Sequence, residues 1–199
     1  NMGGESANET EQTEEKDRQA TVLELFLDLA FVFSIAQITT FIAGNETNTG
    51  ILKGVLLAWL VWWLWTAFTW AGAAVDFQNS AKHRVFVLTM IPAIVLMAIA
   101  LPNAFTDEAI WFAASYFLVQ VWITTLQGLD AWKTLETRKA WLSYGPPALL
   151  APVVLMAGSL VDGNARIITW ALVAVMNIGS AFLGAKGPKD PKQHRQWTI

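Results

Sequence analysis

Two carboxylates sit in an otherwise apolar stretch near the start of the chain. Glu24 and Asp28 stand four residues apart in a run that opens at Thr21 and reads Val-Leu-Glu-Leu-Phe-Leu-Asp-Leu-Ala-Phe-Val up to Phe33. On a helix that spacing places them about 40° apart and roughly 6 Å along the axis. Thr21 and Thr39 fall on the same stripe. Sliding the helix cannot carry Asp28 to water, because only about fifteen residues separate it from Gly44, too few to span a bilayer. A carboxylate at the bilayer centre costs at least ~2.5–3.5 kcal/mol, somewhat less nearer an interface. Asp28 is therefore expected to face the interior of a bundle, to find a donor, or to carry a proton. Its functional reading is an ion site, a proton relay or a gate. The structural reading is an anchor that bonds a neighbouring helix. For Glu24, nearer the boundary, the anchor is the stronger reading.

A second set of polar residues lies further along. Tyr116, Gln120, Thr124 and Gln127 share one helical face, with Asp130 at its end. Polar side chains in lipid turn inward and bond other helices, at about 0.6 kcal/mol each. They read as packing contacts, or as a hydrated path beside Asp28. Asn177 is placed to bond across a helix pair, and Ser180 and Gly184 form a small-xxx-small face suited to close contact. Trp59, Trp63, Thr66 and Trp70 make a stripe within about 60°, through the span rather than at an interface. That stripe reads as lipid-facing bulk or as a lining for an apolar or cationic ligand. Pro92, Pro146, Pro147 and Pro152 interrupt apolar runs and free backbone carbonyls, through ordinary kinks or around a cavity. Asp76, Lys82, His83 and Arg84 cluster between two runs as a solvated loop would. Asn8-Glu9-Thr10 and Asn45-Glu46-Thr47 match the glycosylation sequon, and only the second is expected on the outer side.

Composition narrows the chemistry. There are no Cys and two His, so thiolate catalysis, disulfides and a histidine-rich metal site are excluded, and no metal or cofactor is expected. P-loop, nucleophile-elbow, zincin and dinucleotide-binding motifs are absent. Neither carboxylate makes a catalytic dyad by spacing alone, so an enzyme is the less favoured reading. The net charge of −3 gives no basis for nucleic-acid binding.

These residues need elements to hold them. The 199 residues are 54% hydrophobic and 15% charged, with 11 Trp. A soluble domain carries about 25% charged residues, so the chain reads as an all-α integral membrane protein with the lipid bilayer as its surroundings. Residues 1–19 are polar and acidic and read as a disordered tail, not a signal peptide. Residues 20–186 hold six apolar runs, Val22–Ala43, Ile51–Ala73, Arg84–Leu101, Ala109–Leu129, Ala140–Val161 and Ala165–Ala185. Each is roughly 18–23 residues, a helix length that crosses about 30 Å. The runs are continuously apolar, unlike the alternation of a membrane β-barrel. Short links imply a bundle of six antiparallel transmembrane helices. Residues 187–199 form a basic tail, or a linker to a second half. Eleven of the 13 Lys and Arg fall on one side and Lys53 and Arg166 on the other. The positive-inside rule then puts both termini on the cytoplasmic side of a multipass protein in the plasma (inner) membrane.

The first helix also carries a resemblance. Glu24-Leu25-Phe26-Leu27-Asp28-Leu29-Ala30-Phe31-Val32 resembles the opening signature E-L-F-x-D-L-x-F-V of the bacterial low temperature requirement A (LtrA) proteins. The likeness continues through the Trp-rich second run, Arg84, the Pro102-Asn103-Ala104-Phe105 turn and Tyr116, so it covers the chain from Arg18 onward. Family members are usually about twice as long, and their second half carries an H-x-x-E-R motif; His194-Arg195 is not that motif. Gln120 and Asn177 stand where the family often has Arg and Asp, which makes both partners of an ion pair neutral here. The resemblance implies the N-terminal half of an LtrA-type protein, whose name reflects a cold-growth requirement rather than a settled activity.

The leading functional expectation is solute or ion transport, with Asp28 as the central polar group among Glu24, Tyr116, Gln120 and Asn177. A channel is the alternative, since a six-helix potassium-channel family also carries F-x-D in its first helix; Phe26-Leu27-Asp28 fits that minimal pattern, with Leu27 in place of its usual serine. A membrane enzyme or a structural subunit is the third class. Transport predicts a cavity reaching Asp28, and a channel predicts first helices meeting at an axis. The chain is not expected to act as a lone monomer. A homodimer or the second half of a longer chain would cover its inward polar faces, with Ser180 and Gly184 as one contact.

Overall fold

The computed structural model describes residues 25–74, 81–132 and 134–185, with a few side chains inside the helices left aside. Both tails and Glu24 lie outside the described residues. Six α-helices occupy the six apolar runs: α1, described over Leu25–Ala43, α2 Asn48–Ala74, α3 Ala81–Ala100, α4 Ala109–Ala131, α5 Leu135–Ser159 and α6 Asn164–Ala185. A short 3-10 turn, Leu101–Asn103, follows α3. No strand occurs among the described residues. Helix α5 begins before its apolar run, because Thr134 caps it by accepting from the Thr137 amide at 3.2 Å and Glu136 sits in the first turn, where the helix dipole favours an acid.

Among the described residues, three helices are long and apolar enough to cross a membrane, over Leu25–Ala43, Asn48–Ala71 and Ala109–Gly128. The apolar parts of the other three are shorter: Val87–Asn103, Ala148–Ser159 and Asn164–Gly179. Helix α3 begins with Lys82, His83 and Arg84, and α5 holds Glu136, Arg138 and Lys139 before Pro146 and Pro147. Those polar turns add helical residues without adding apolar ones. The expected six runs are thus six helices, of which three qualify as spans by length and composition.

Helix α4 lies at the centre, packed against α2, α3 and α5, and α6 closes on α5 and α2. Phe112 of α4 meets the buried Trp170 of α6 at 5.4 Å between ring centroids. Helix α1 turns Leu27, Ala30, Phe31, Ser34, Ile38 and Phe41 inward, a stripe of helical period. Gly54 of α2 lies against Ile42 of α1, where a Cβ would collide. The outward positions of α1 and α2 are also apolar, including Leu29, Val32, Ile51 and Val55. A helix apolar on every side is stable where lipid is the solvent on its outer face.

Tryptophan ties the helices in pairs. The indole N–H of Trp65 donates from α2 to Asp28 of α1 at 3.3 Å, and that of Trp122 donates from α4 to Thr89 of α3 at 3.1 Å. Trp141 of α5 donates to the Thr124 carbonyl of α4 at 3.2 Å, and Trp170 of α6 to the Leu155 carbonyl of α5 at 3.0 Å. The buried Trp170 indole needs an acceptor for its one polar atom, and each of the four bonds ties one helix to another at a set rotation. Glycines make room: a Cβ on Gly128 or Gly145 would press on the Trp141 ring, and one on Gly158 would stand 2.7 Å from Trp170.

The links at residues 44–47, 101–108 and 160–163 gather at one end. Phe105 packs on Phe41 and Trp170 there, beneath Lys53 Nζ at 5.0 Å. Arg166 is the centre of that end. It donates through Nε to the Val161 carbonyl at 2.9 Å, through Nη1 to the Thr106 carbonyl at 2.6 Å, and through Nη2 to Asp162 Oδ1 at 2.6 Å. Gly163, at φ 62°, supplies the left-handed step that returns the chain into α6.

Candidate functional site

The polar residues foreseen as one group divide into two places. Tyr116, Gln120 and Thr124 lie one above another on the inward face of α4, all buried. Tyr116 stands against the buried Asn177 of α6, side chain to side chain. Gln120 Nε2 approaches Thr124 Oγ1 at 3.5 Å, a long contact. This seam is enclosed by Phe112, Val119, Ile123 and Trp170. Its chemistry is hydrogen bonding between uncharged groups, which holds α4 and α6 in register.

Asp28 is elsewhere. It is exposed on the flank of α1 that faces α2, and its described partner is Trp65, not Tyr116, Gln120 or Asn177. The reason is rotational. The buried stripe centres on Leu27, Phe31, Ser34 and Ile38, and one residue from Leu27 is about 100° around the helix. Asp28 therefore stands at the edge of the packed face. A groove of about 390 Å³ opens on the opposite flank of α1, lined by Phe26, Leu29, Ala30, Phe33, Ile91 and Val95. It is apolar and does not include Asp28.

Other foreseen residues have plainer positions. Trp59 and Trp63 stack at 6.3 Å between centroids, and Trp59 meets Trp62 at 5.2 Å. Trp70 is exposed. Ser180 and Gly184 lie in α6, but their side chains are outside the described set, as are those of Lys82, His83 and Arg84. Among the described residues no three metal-ligating side chains cluster. In the sequence Arg166 counts only as one of the two Lys and Arg on the outer side. The spacing Asp162-Gly163-x-x-Arg166 was the available signal, an acid and a base four apart around a turn glycine.

A bundle of apolar helices, three of them among the described residues long and apolar enough to span, with a carboxylate in the first and an enclosed polar seam in the fourth and sixth, points to a membrane protein. The sequence profile of the bacterial low temperature requirement A protein (LtrA) family matches residues 19–198, and the chain belongs to that family. It is also similar to an uncharacterized protein of Rhizobium meliloti (strain 1021), 27% identical over 166 residues, a stretch that is 79% of this chain and 39% of that protein. The chain thus spans well under half the length of that relative. No solved structure matches it.

Proposed function

We propose that this chain is a six-span unit of a bacterial inner-membrane transporter, with both termini cytoplasmic, in which a solute or an ion passes Asp28. The observation that carries the reading is the position of Asp28. It lies within a helix long and apolar enough to cross a membrane, on an exposed flank, with the neutral indole N–H of Trp65 at 3.3 Å as its described hydrogen bond. An ionisable side chain in such a place is expensive to keep and is a functional residue by default. The shorter apolar parts of α3, α5 and α6 still belong to helices of 20, 25 and 22 residues, which reach about 30 Å or more at 1.5 Å per residue.

The route in this reading runs along the α1–α2 flank rather than through the bundle centre, which Phe112, Val119 and Trp170 fill. The outward placement of Asp28 also favours the channel as a second reading, since copies meeting through α1 would bring their carboxylates to a shared axis. The test is flux in proteoliposomes holding the full chain, with protons, Na⁺ and K⁺ as probes under an imposed potential. Flux that Asp28→Asn abolishes is the expected result. Linear, non-saturating currents would select the channel, and flux equal to empty liposomes for every probe would refute both.

A further inference from the structure

We propose that the corner formed by Asp28 and the α2 indoles binds a lipophilic organic cation, such as a quaternary ammonium or phosphonium ion; this names a substrate class for the site on which the transport reading rests. A carboxylate has about four acceptor positions, and among the described residues Asp28 receives one hydrogen bond, from Trp65 at 3.3 Å. That donor is neutral, and no described Lys or Arg pairs with Asp28, so the charge is left for a ligand to neutralise. The aromatic half of the corner is present as well. Trp65 is 39% and Trp62 47% exposed, and Trp62 leans on Trp59 at 5.2 Å between centroids. Three residues apart on one helix, Trp62 and Trp65 point about 60° apart, so both exposed indoles lie on the flank of α2 from which Trp65 reaches the carboxylate. Indole faces attract cations, most strongly where water is scarce.

The surroundings select the kind of cation. Leu25, Val32 and Ile35 are the exposed neighbours of Asp28 on α1. A small metal ion would have to shed its water for one carboxylate and hydrocarbon, a poor exchange for a strongly hydrated ion. A large cation with apolar substituents loses little hydration, reaches the corner sideways from the bilayer, and gains charge pairing, ring contact and apolar cover together.

The test is equilibrium binding of tetraphenylphosphonium to the full chain in phosphatidylcholine nanodiscs, corrected for empty discs. Tetraphenylborate, of the same shape and opposite charge, is the competitor. Saturable binding is expected, weakened at least about tenfold in Asp28→Asn, several-fold in Trp65→Leu, and less than about threefold in Asp28→Glu. Equal binding in Asp28→Asn, or equal displacement by tetraphenylborate, overturns the proposal. Should Asp28→Asn fail to fold, judged by its helical circular dichroism, the competition alone decides. Asp28-dependent ion flux without phosphonium binding would remove this inference and keep the transport reading. Binding without any flux would do the reverse.

Discussion

Replacing Arg166 with methionine should destabilise the protein by about 2–4 kcal/mol, and the size of that loss follows from where its bonds go. The Arg166 side chain is 4% exposed while its ion-pair partner Asp162 is 84% exposed. The ion pair itself is thus mostly hydrated at one end and contributes no more than about 1 kcal/mol. The weight falls on the carbonyls of Val161 and Thr106, at 2.9 and 2.6 Å. Bonds from a charged donor contribute about 1.5–3 kcal/mol each. Water can reach part of this end and recovers some of the loss, which gives the stated range. The 3.5 Å contact to the Ser159 carbonyl adds little. Methionine keeps the apolar stem of the side chain, so the loss reports the guanidinium rather than packing. Arg166→Lys should recover about half, because one ammonium cannot serve the α3–α4 and α5–α6 links at once. Asp162→Asn should cost under about 1 kcal/mol. Unfolding in mixed detergent micelles, followed by tryptophan fluorescence, measures all three. The reasoning is refuted if Asp162→Asn costs as much as Arg166→Met, or if Arg166→Met unfolds with the wild type.

Further outcomes can be checked in the same assay. Gly158→Ala should cost about 1–3 kcal/mol, since the new methyl would meet the Trp170 ring at 2.7 Å and Thr169 Cγ2 at 2.9 Å. Gly179→Ala, with nothing within 4 Å of its Cβ and no positive φ, should instead stabilise by about 0.4–1 kcal/mol. Tyr116→Phe should cost about 1–2 kcal/mol by removing the buried hydroxyl that faces Asn177, and a double-mutant cycle with Asn177→Leu should be non-additive. For orientation, an impermeant thiol reagent applied from outside should label Asn48→Cys and not Gln193→Cys; the opposite pattern would overturn the assignment of cytoplasmic termini, and the absence of native Cys makes the signal clean.

The helices were legible because continuous apolar runs leave little else to build, and short links at residues 44–47 and 160–163 leave only antiparallel neighbours. The rotation of each helix was not. Sequence hydropathy sees no inward side in α2, where Leu57, Leu60 and Leu64 are buried while Leu52, Val55 and Trp62 are exposed. What sets rotation here is steric and polar detail: a glycine opposite a ring, as at Gly54 and Gly158, and an indole N–H opposite an acceptor. The Trp59, Trp63 and Trp70 stripe was visible as a period, yet Trp65, Trp122, Trp141 and Trp170 carry the cross-helix bonds. Their acceptors are a carboxylate, a hydroxyl and two backbone carbonyls that no spacing rule marks.

The same logic separates the two polar places. Tyr116, Gln120 and Thr124 are uncharged and can satisfy one another or Asn177 inside the bundle, so burying them costs little once they are paired. Asp28 differs in kind. A neutral indole N–H can satisfy one lone pair of a carboxylate, but it supplies no charge. Burying Asp28 in the α4–α6 seam would have required a cation there, and Gln120 and Asn177 offer none. A flank position keeps the carboxylate beside Trp65 and open to whatever arrives from lipid or from a neighbouring helix. The proposed role of Asp28 therefore follows less from the acid alone than from the neutrality of the seam that Asp28 does not join.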